Sequence, residues 1–513
     1  MLELLAYVLG AVAVIVAAQL VADRTGLPAA ALLTVAGLVY AVLPGPNLSL
    51  DPHVILTFVI PPLIYSAALN SSLTAIRRNL RTVISLSIGL VLVTGIIIGA
   101  GFGLFVPVVG LAAGVALGAA VSPTDPVAAL AVGHGARLPA RLVTIIEGEG
   151  LLNDATALTL LTVAVTSVMS GGFSFGDAVA HFLLAAVGGL VSGVAVALAM
   201  RLLRRAVRDP LLVNALSLAT PFAAYLLGEA VHVSGVLAVA VAGLMVGHDT
   251  PRFTTGASRL QVSAVWRLAD FLLQGFVFLL IGQQILPVVR GLREYPAGTV
   301  GAAVAISLGA VLLLRPLWLL LTVSRRLGGR EIAVLSWAGT RGVISLAAIF
   351  TVPLTMPDGQ PFPGRDLLLF CTFMVVVVTL VGQGLTFGLI ARVLGVRADP
   401  ADEARLRWEA RSASVRAGLA RLDEIAAAGE LRDPALTALR VSLTRQTGDD
   451  DAGQRRQVVD DDAALRARRE VIDAQREELL RWRDAGHLPD SGLRVLERGL
   501  DHEERTLPPH DAH

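Results

Sequence analysis

Asp125 and Asp154 are each a carboxylate inside an otherwise apolar stretch, Asp125 in SPTDPVAA at 122–129 and Asp154 in EGEGLLNDAT at 147–156. A carboxylate deep in a hydrocarbon-lined segment is expensive. It is placed there when it lines a polar cavity, binds an ion or carries a proton. Pro123 and Pro126 bracket Thr124 and Asp125, and each proline removes a backbone donor and frees a carbonyl in the preceding turn. A helix interrupted in this way offers a cation both carbonyl oxygens and a carboxylate; a bare kink would need no buried Asp. The second stretch carries Glu147, Glu149, Asn153 and Asp154. On a helix, 149 and 153 share one face while 147 and 154 share another, so one face can dock an arginine while Asp154 looks toward an ion. Thr124, Asp125, Asn153 and Asp154 together supply the several oxygens that a hard monovalent cation needs. One carboxylate can hold a proton or a metal ion but not comfortably both, and that competition is enough for antiport if only loaded forms cross.

The sequence has no lysine, so every functional cation must be Arg or His. Arg315 and Arg341 fall inside apolar runs, and each predicts a buried anionic or carbonyl partner. Arg315 adjoins Pro316 and has two open readings, an ion pair or satisfaction of freed backbone carbonyls. Arg341, in GTRG at 339–342, marks a second irregular point late in the chain. A guanidinium does not titrate near neutrality, so a structural role is expected for it.

The elements that would position these groups are membrane spans. The chain is 54% hydrophobic and 16% charged, with a mean hydropathy of +0.69, values of a polytopic membrane protein. Runs long enough to cross about 30 Å of hydrocarbon occur near 4–22, 27–43, 54–69, 80–101, 108–132, 140–169, 178–200, 211–228, 231–247, 268–287, 297–321, 331–353 and 366–391. Thirteen spans are expected, with the division around 211–247 the least defined. Alternate loops carry sixteen arginines (Arg24, Arg77, Arg78, Arg81, Arg137, Arg141, Arg201, Arg204, Arg205, Arg208, Arg252, Arg259, Arg267, Arg325, Arg326 and Arg330) against three (Arg290, Arg293 and Arg365) on the other side. This bias predicts an outside N-terminus and a cytoplasmic C-terminal region in a cell (inner) membrane. MLELLAYVLG lacks the basic region of a secretory signal and reads as the retained first span. The single Cys371 excludes an intrachain disulfide and a cysteine-based metal cluster.

With these residues in place, the chain resembles the bacterial sodium/proton antiporters of the first cation:proton antiporter family, relatives of the animal sodium/hydrogen exchangers. The matching segments are FVIPPLIYSAALN (58–70), SPTDPVAAL, EGEGLLNDATAL, HVSGVLAVAVAGLMVG (232–247), FLLQGFVFLLIGQQ (271–284), RPLW (315–318) and SWAGTRGVISLA (336–347). The resemblance covers roughly 1–395. It implies an all-α polytopic membrane protein of about thirteen helices with two inverted six-helix repeats, crossed broken helices and a homodimer, one bundle moving the ion by an elevator-like motion. It further implies that Thr124 and Asp125 act as unwound-helix ligands, that Asp154 is the ion- and proton-binding aspartate, and that Asn153–Asp154 marks electroneutral exchange. Glu149 and Arg341 take positions of a structural ion pair, with Asn153 and Arg315 in support and Glu147 more weakly assigned. Three departures stand out: Gly150 where several members have Ser, Ser66 where many have an acid, and Gln274 where Asn is common.

The domain division expected is 1–395 for a transmembrane exchanger and 396–513 for a charged, helical cytoplasmic tail. Residues 397–513 hold 20 arginines and 25 acids. They read as two amphipathic helices broken at TGDDDAG (447–453), with Trp408 and Trp482 giving some packing, in a regulatory or a merely stabilising appendage. The mixed charge argues against nucleic acid as a partner. No nucleotide fingerprint appears, and no cofactor is expected. His134, His232 and His248 lie near span ends, as pH sensors or as ordinary interfacial residues. The function expected is secondary transport in contact with membrane lipid, exporting Na+ or Li+ in exchange for H+ in pH and salt homeostasis. K+/H+ exchange is the close alternative and a cation channel a more distant one. A membrane enzyme is disfavoured by dispersed histidines without HExxH spacing.

Overall fold

The computed structural model describes residues 2–43, 54–126, 138–170, 175–207, 209–253, 256–398, 400–428, 433–445 and 462–505. His134, Arg137, Arg208, the 447–453 break and the part of the 108–132 run beyond Pro126 lie outside them. Regular structure among the described residues is helical, apart from an isolated bridge between Thr355 and Pro361. The chain forms two compact units, one of Met1–Leu203, Leu216–His248 and Val265–Arg397, the other of Arg204–Ala215, Asp249–Ala264 and Ala398–His513.

In chain order the apolar helices are α1 (Leu2–Thr25), α2 (Ala29–Val42), α3 (Ile55–Asn70), the short α4 (Leu73–Arg78), α5 (Leu80–Phe105), α6 (Gly110–Val121), α7 (Ala140–Ser170), α8 (Phe175–Ala206), α9 (Pro210–Ala230), α10 (Gly235–Phe253), α11 (Gly256–Gly291), α12 (Ala297–Thr322), α13 (Gly329–Trp337), α14 (Val343–Phe350) and α15 (Arg365–Val393). Each of the thirteen expected runs contains helix. Eight of the described helices are long and apolar enough to cross a membrane, and α2, α3, α6 and α10 are shorter apolar helices. The uncertain division near 211–247 is a real break: α9 and α10 are separated by a turn in which His232 adopts a left-handed φ of 56°. Outward faces carry leucine and valine, as on α8 at Leu183, Leu184, Val187, Leu190 and Val191. Without water to drive association, such helices pack through small residues. Gly95 and Gly99 of α5 meet Gly114 and Gly118 of α6 closely enough that a Cβ at 118 would lie 2.7 Å from Gly95 Cα.

Two helices are interrupted. α6 stops at Val121, and Ser122–Asp125 is non-helical before helix resumes at Pro126; α13 stops at Trp337, and the chain is irregular to Gly342 before α14. Proline explains the first break. At the second, Gly339 and Gly342 sit where a side chain would strike Arg315 and Asp125 respectively.

The other unit contains four charged helices, α16 (Pro400–Ala427), α17 (Asp433–Arg445), α18 (Asp462–Ala485) and α19 (Asp490–Arg505), two more than expected. The apolar stripes of α16, α18 and α19 close over Ala410, Ile472, Leu479, Leu480, Leu488, Leu493 and Leu500, and α17 packs through Leu443 on Val415, Leu422 and Val471. Trp482 packs edge-on to His487, but Trp408 is 60% exposed, against the packing expected of it. The unit also takes in Arg204–Ala215 and Asp249–Ala264, which a division at 395/396 assigns elsewhere. Arg259 pairs with Asp501, the Gly256 amide donates to Glu504 (3.1 Å), and Arg476 bonds Asp501 (3.2 Å) and Glu504 (2.8 Å).

Candidate functional site

The two interruptions cross and are tied to each other. The Asp125 amide donates to the Thr340 carbonyl (2.7 Å), and the Thr340 hydroxyl donates back to the Asp125 carbonyl (3.0 Å). Backbone groups freed by unwinding thus find partners across the crossing, one in the other backbone and one in a hydroxyl, as groups far from water must. Gly342 leaves room for the Asp125 carboxylate against the start of α14, where exposed amides and the helix dipole attract negative charge.

Asp125 and Asp154 line one cavity. Thr124, Gln274 of α11, Phe278, Leu63 and Ala67 of α3, and Ser345 of α14 contribute to its wall. Asp154, carried by α7, is 6% exposed. The oxygen-rich part therefore gathers two carboxylates, two hydroxyl-bearing residues and an amide in an apolar shell, a donor set suited to a hard cation. From sequence, Gln274 stood only as a departure from the family pattern and Ser345 was not singled out. Gly150 lines the cavity as well, and a Cβ there would lie 2.5 Å from the Pro126 ring. Any side chain at 150 would thus begin in space already filled by the proline.

Behind the cavity lies a layer of paired charge. Glu149, 1% exposed, is held by both terminal nitrogens of Arg315, Nη1 on Oε1 and Nη2 on Oε2 (2.9 Å). Thr124 donates to Glu149 Oε1 (3.0 Å) and accepts from Asn153 Nδ2 (3.0 Å). Asn153 is thus one layer back, holding Thr124, and is not among the cavity-lining residues as a direct ligand would be. Arg315 also donates from Nε to the Leu335 carbonyl of α13 (2.8 Å), a carbonyl other than the one freed by Pro316.

The expected Glu149–Arg341 pair is replaced by Glu149–Arg315. Arg341 sits in the irregular segment, where its guanidinium meets the carbonyls of Val121 (Nε, 2.9 Å), Ser122 and Gly339. The first two carbonyls end α6, the negative pole of its dipole, and that is the physical reason for the exchange of partners. The Arg341 amide donates to Thr379, inside a π turn of α15 at Val378–Gln383. Glu147 is half-buried on α7, two residues and so about 200° round the helix from Glu149.

One acid in this region escaped the sequence reading. Asp270 of α11 accepts a hydrogen bond from Ser66 of α3. Lying three residues after Arg267 at the start of an apolar run, it passes for an interfacial residue.

Among known proteins, residues 10–393 match the model of the transmembrane sodium/hydrogen exchanger family. The chain is 33% identical over 542 residues to an uncharacterized Na+/H+ exchanger of Mycobacterium tuberculosis (strain H37Rv), covering 99% of this chain and 97% of that one. It is 31% identical to the sodium, potassium, lithium and rubidium/H+ antiporter of Bacillus subtilis, over 66% of this chain and 53% of the relative. Among solved structures, the sodium/proton antiporter MjNhaP1 of Methanocaldococcus jannaschii at pH 8 superposes with a TM-score of 0.63 at 20% identity, over 76% of this chain and 99% of that one. The apolar helices, the crossed interruptions and a family match spanning most of the chain agree with the resemblance drawn from the motifs, and the chain belongs to the sodium/hydrogen exchanger family.

Proposed function

We propose that this chain exchanges one Na+ (or Li+) for one proton across the cell membrane by alternating access, the two ions competing for Asp154 and Asp125. The observation that carries this reading is the opening of both carboxylates onto one cavity at the crossed interruptions, with both nearby guanidiniums already engaged by Glu149 and by carbonyls. A cation there meets oxygen atoms, each nearby guanidinium being engaged elsewhere. Thr124 and Asn153 act together, the amide fixing the hydroxyl beside Asp125. The arginine bias supports an outside N-terminus and a cytoplasmic tail. K+/H+ exchange at the same site is a second reading, favoured by the name of the Bacillus subtilis relative.

The test is purified protein in liposomes, with internal pH followed after opposed Na+, Li+ or K+ gradients while the membrane potential is clamped at several values. Cation-dependent proton flux indifferent to potential is the expected result, and the ion series assigns the substrate. Flux that tracks potential overturns one-for-one coupling. Asp154→Asn is expected to fold and to lose exchange; a rate above about a tenth of wild type overturns the shared site.

A further inference from the structure

Ser66 is 1% exposed, and its hydroxyl donates to Asp270 Oδ2. The other carboxylate oxygen, Oδ1, is buried and has no hydrogen-bond partner among the described residues. An oxygen left this way is costly unless something visits it. A bare helix–helix clasp would require one acceptor and no charge, so the second oxygen calls for another explanation.

Its place in the fold supplies one. Asp270, Gln274 and Phe278 recur every four residues and form one stripe of α11, and the latter two line the cavity that holds Asp125 and Asp154. On α3, Leu63 and Ala67 line the same cavity, and Ser66 lies between them in sequence. Neither Ser66 nor Asp270 lines that cavity; the pair lies one turn beyond it, about 6 Å along α11 from Gln274. The crossing is held firmly: Tyr65 packs on Trp266 with ring centroids 5.2 Å apart, and the Trp266 indole donates to Ser217 (3.0 Å).

We propose that Ser66 and Asp270 form a second station for the transported monovalent cation, one turn from the main site toward the end of α11 that carries Arg267. The Asp270 carboxylate and the Ser66 hydroxyl oxygen receive a partly hydrated cation before it reaches Asp125 and Asp154. This station rests on the exchange reading above, which makes the Arg267 end the cytoplasmic mouth.

The experiment compares wild type, Asp270→Asn, Ser66→Ala and the relocated pair Ser66→Asp/Asp270→Asn in liposomes, with Na+ titrated on each face at fixed pH. Asp270→Asn keeps the shape of the side chain and is expected to raise the apparent KM for Na+ on the cytoplasmic face by about fivefold. The maximum rate is expected to stay within about a factor of two. Moving the carboxylate across the hydrogen bond to position 66 is expected to bring KM back toward wild type, which repair of a merely structural contact would not do. An unchanged KM in Asp270→Asn overturns the proposal, as does a fall in maximum rate alone that the relocated pair does not recover. Wild-type protein without cation-dependent proton flux would instead sink the exchange reading itself.

Discussion

At position 342 a Cβ would run into the Asp125 carboxylate, and at position 150 it would meet the Pro126 ring. Gly342→Ala is therefore expected to abolish exchange by displacing Asp125, with loss of thermal stability as a companion measurement; near-normal exchange would mean that the carboxylate is free to move aside. Glu149 and Arg315 make a stronger case for stability than for ion handling. Each is about 2% exposed, and removing one leaves the other charged and unpaired. Glu149→Ala or Arg315→Ala is expected to cost about 3–5 kcal/mol, read as lost folded yield and a lower melting temperature. The double variant should cost less than the two singles combined, which a double-mutant comparison checks directly. Residue types alone pointed to Asp125 and Asp154, because few other roles justify carboxylates in such runs. The choice between Arg315 and Arg341 for Glu149 was not legible. Spacing shows which residues share a face of α7, but not which distant guanidinium arrives there.

At the scale of elements, the prolines announced the break after α6 and the glycines the break before α14, whereas their mutual hydrogen bonds depend on three-dimensional crossing. The tail helices illustrate a different limit. Charge patterning disclosed amphipathic helix but not α17 or α19, whose burial depends on neighbours. Within α19, Glu497 is buried with Oε1 unpartnered. Burial pushes its carboxyl above the ordinary range, and nearby Arg259 and Arg476 only partly offset this. A raised folded value means that the stabilising contribution is complete below the unfolded value near 4.5 and is lost as pH rises through the folded one. Hydrogen exchange of α19 in the full-length protein should thus speed up as pH rises through that window, after correction for intrinsic exchange. Glu497→Gln should flatten the dependence and protect the helix at neutral pH; an unaltered profile would assign the opening to another group.

For the whole molecule, the match to an archaeal antiporter fold and the family model agree with what hydropathy and motif order implied. The boundary of the compact units follows contacts instead, because Asp249–Ala264 joins α18 and α19 through Arg259, Gly256 and their acidic partners. Sequence distance of more than two hundred residues hides such an association. The placement of Arg341 on carbonyls has an electrical consequence. Glu149 and Arg315 cancel, but among the described residues Arg341 meets carbonyls and no carboxylate of its own, so its charge is counted with Asp125 and Asp154. With both aspartates ionised, the crossing carries one excess negative charge. On the proposed exchange reading, a single sodium ion and a single proton would each bring it to zero, so the two loaded forms would be electrically alike and membrane voltage would do no net work on either. Only the empty form would carry charge into the low-dielectric interior, where that charge is expensive, and so under that reading the arrangement of one arginine would disfavour the one crossing that uncouples exchange.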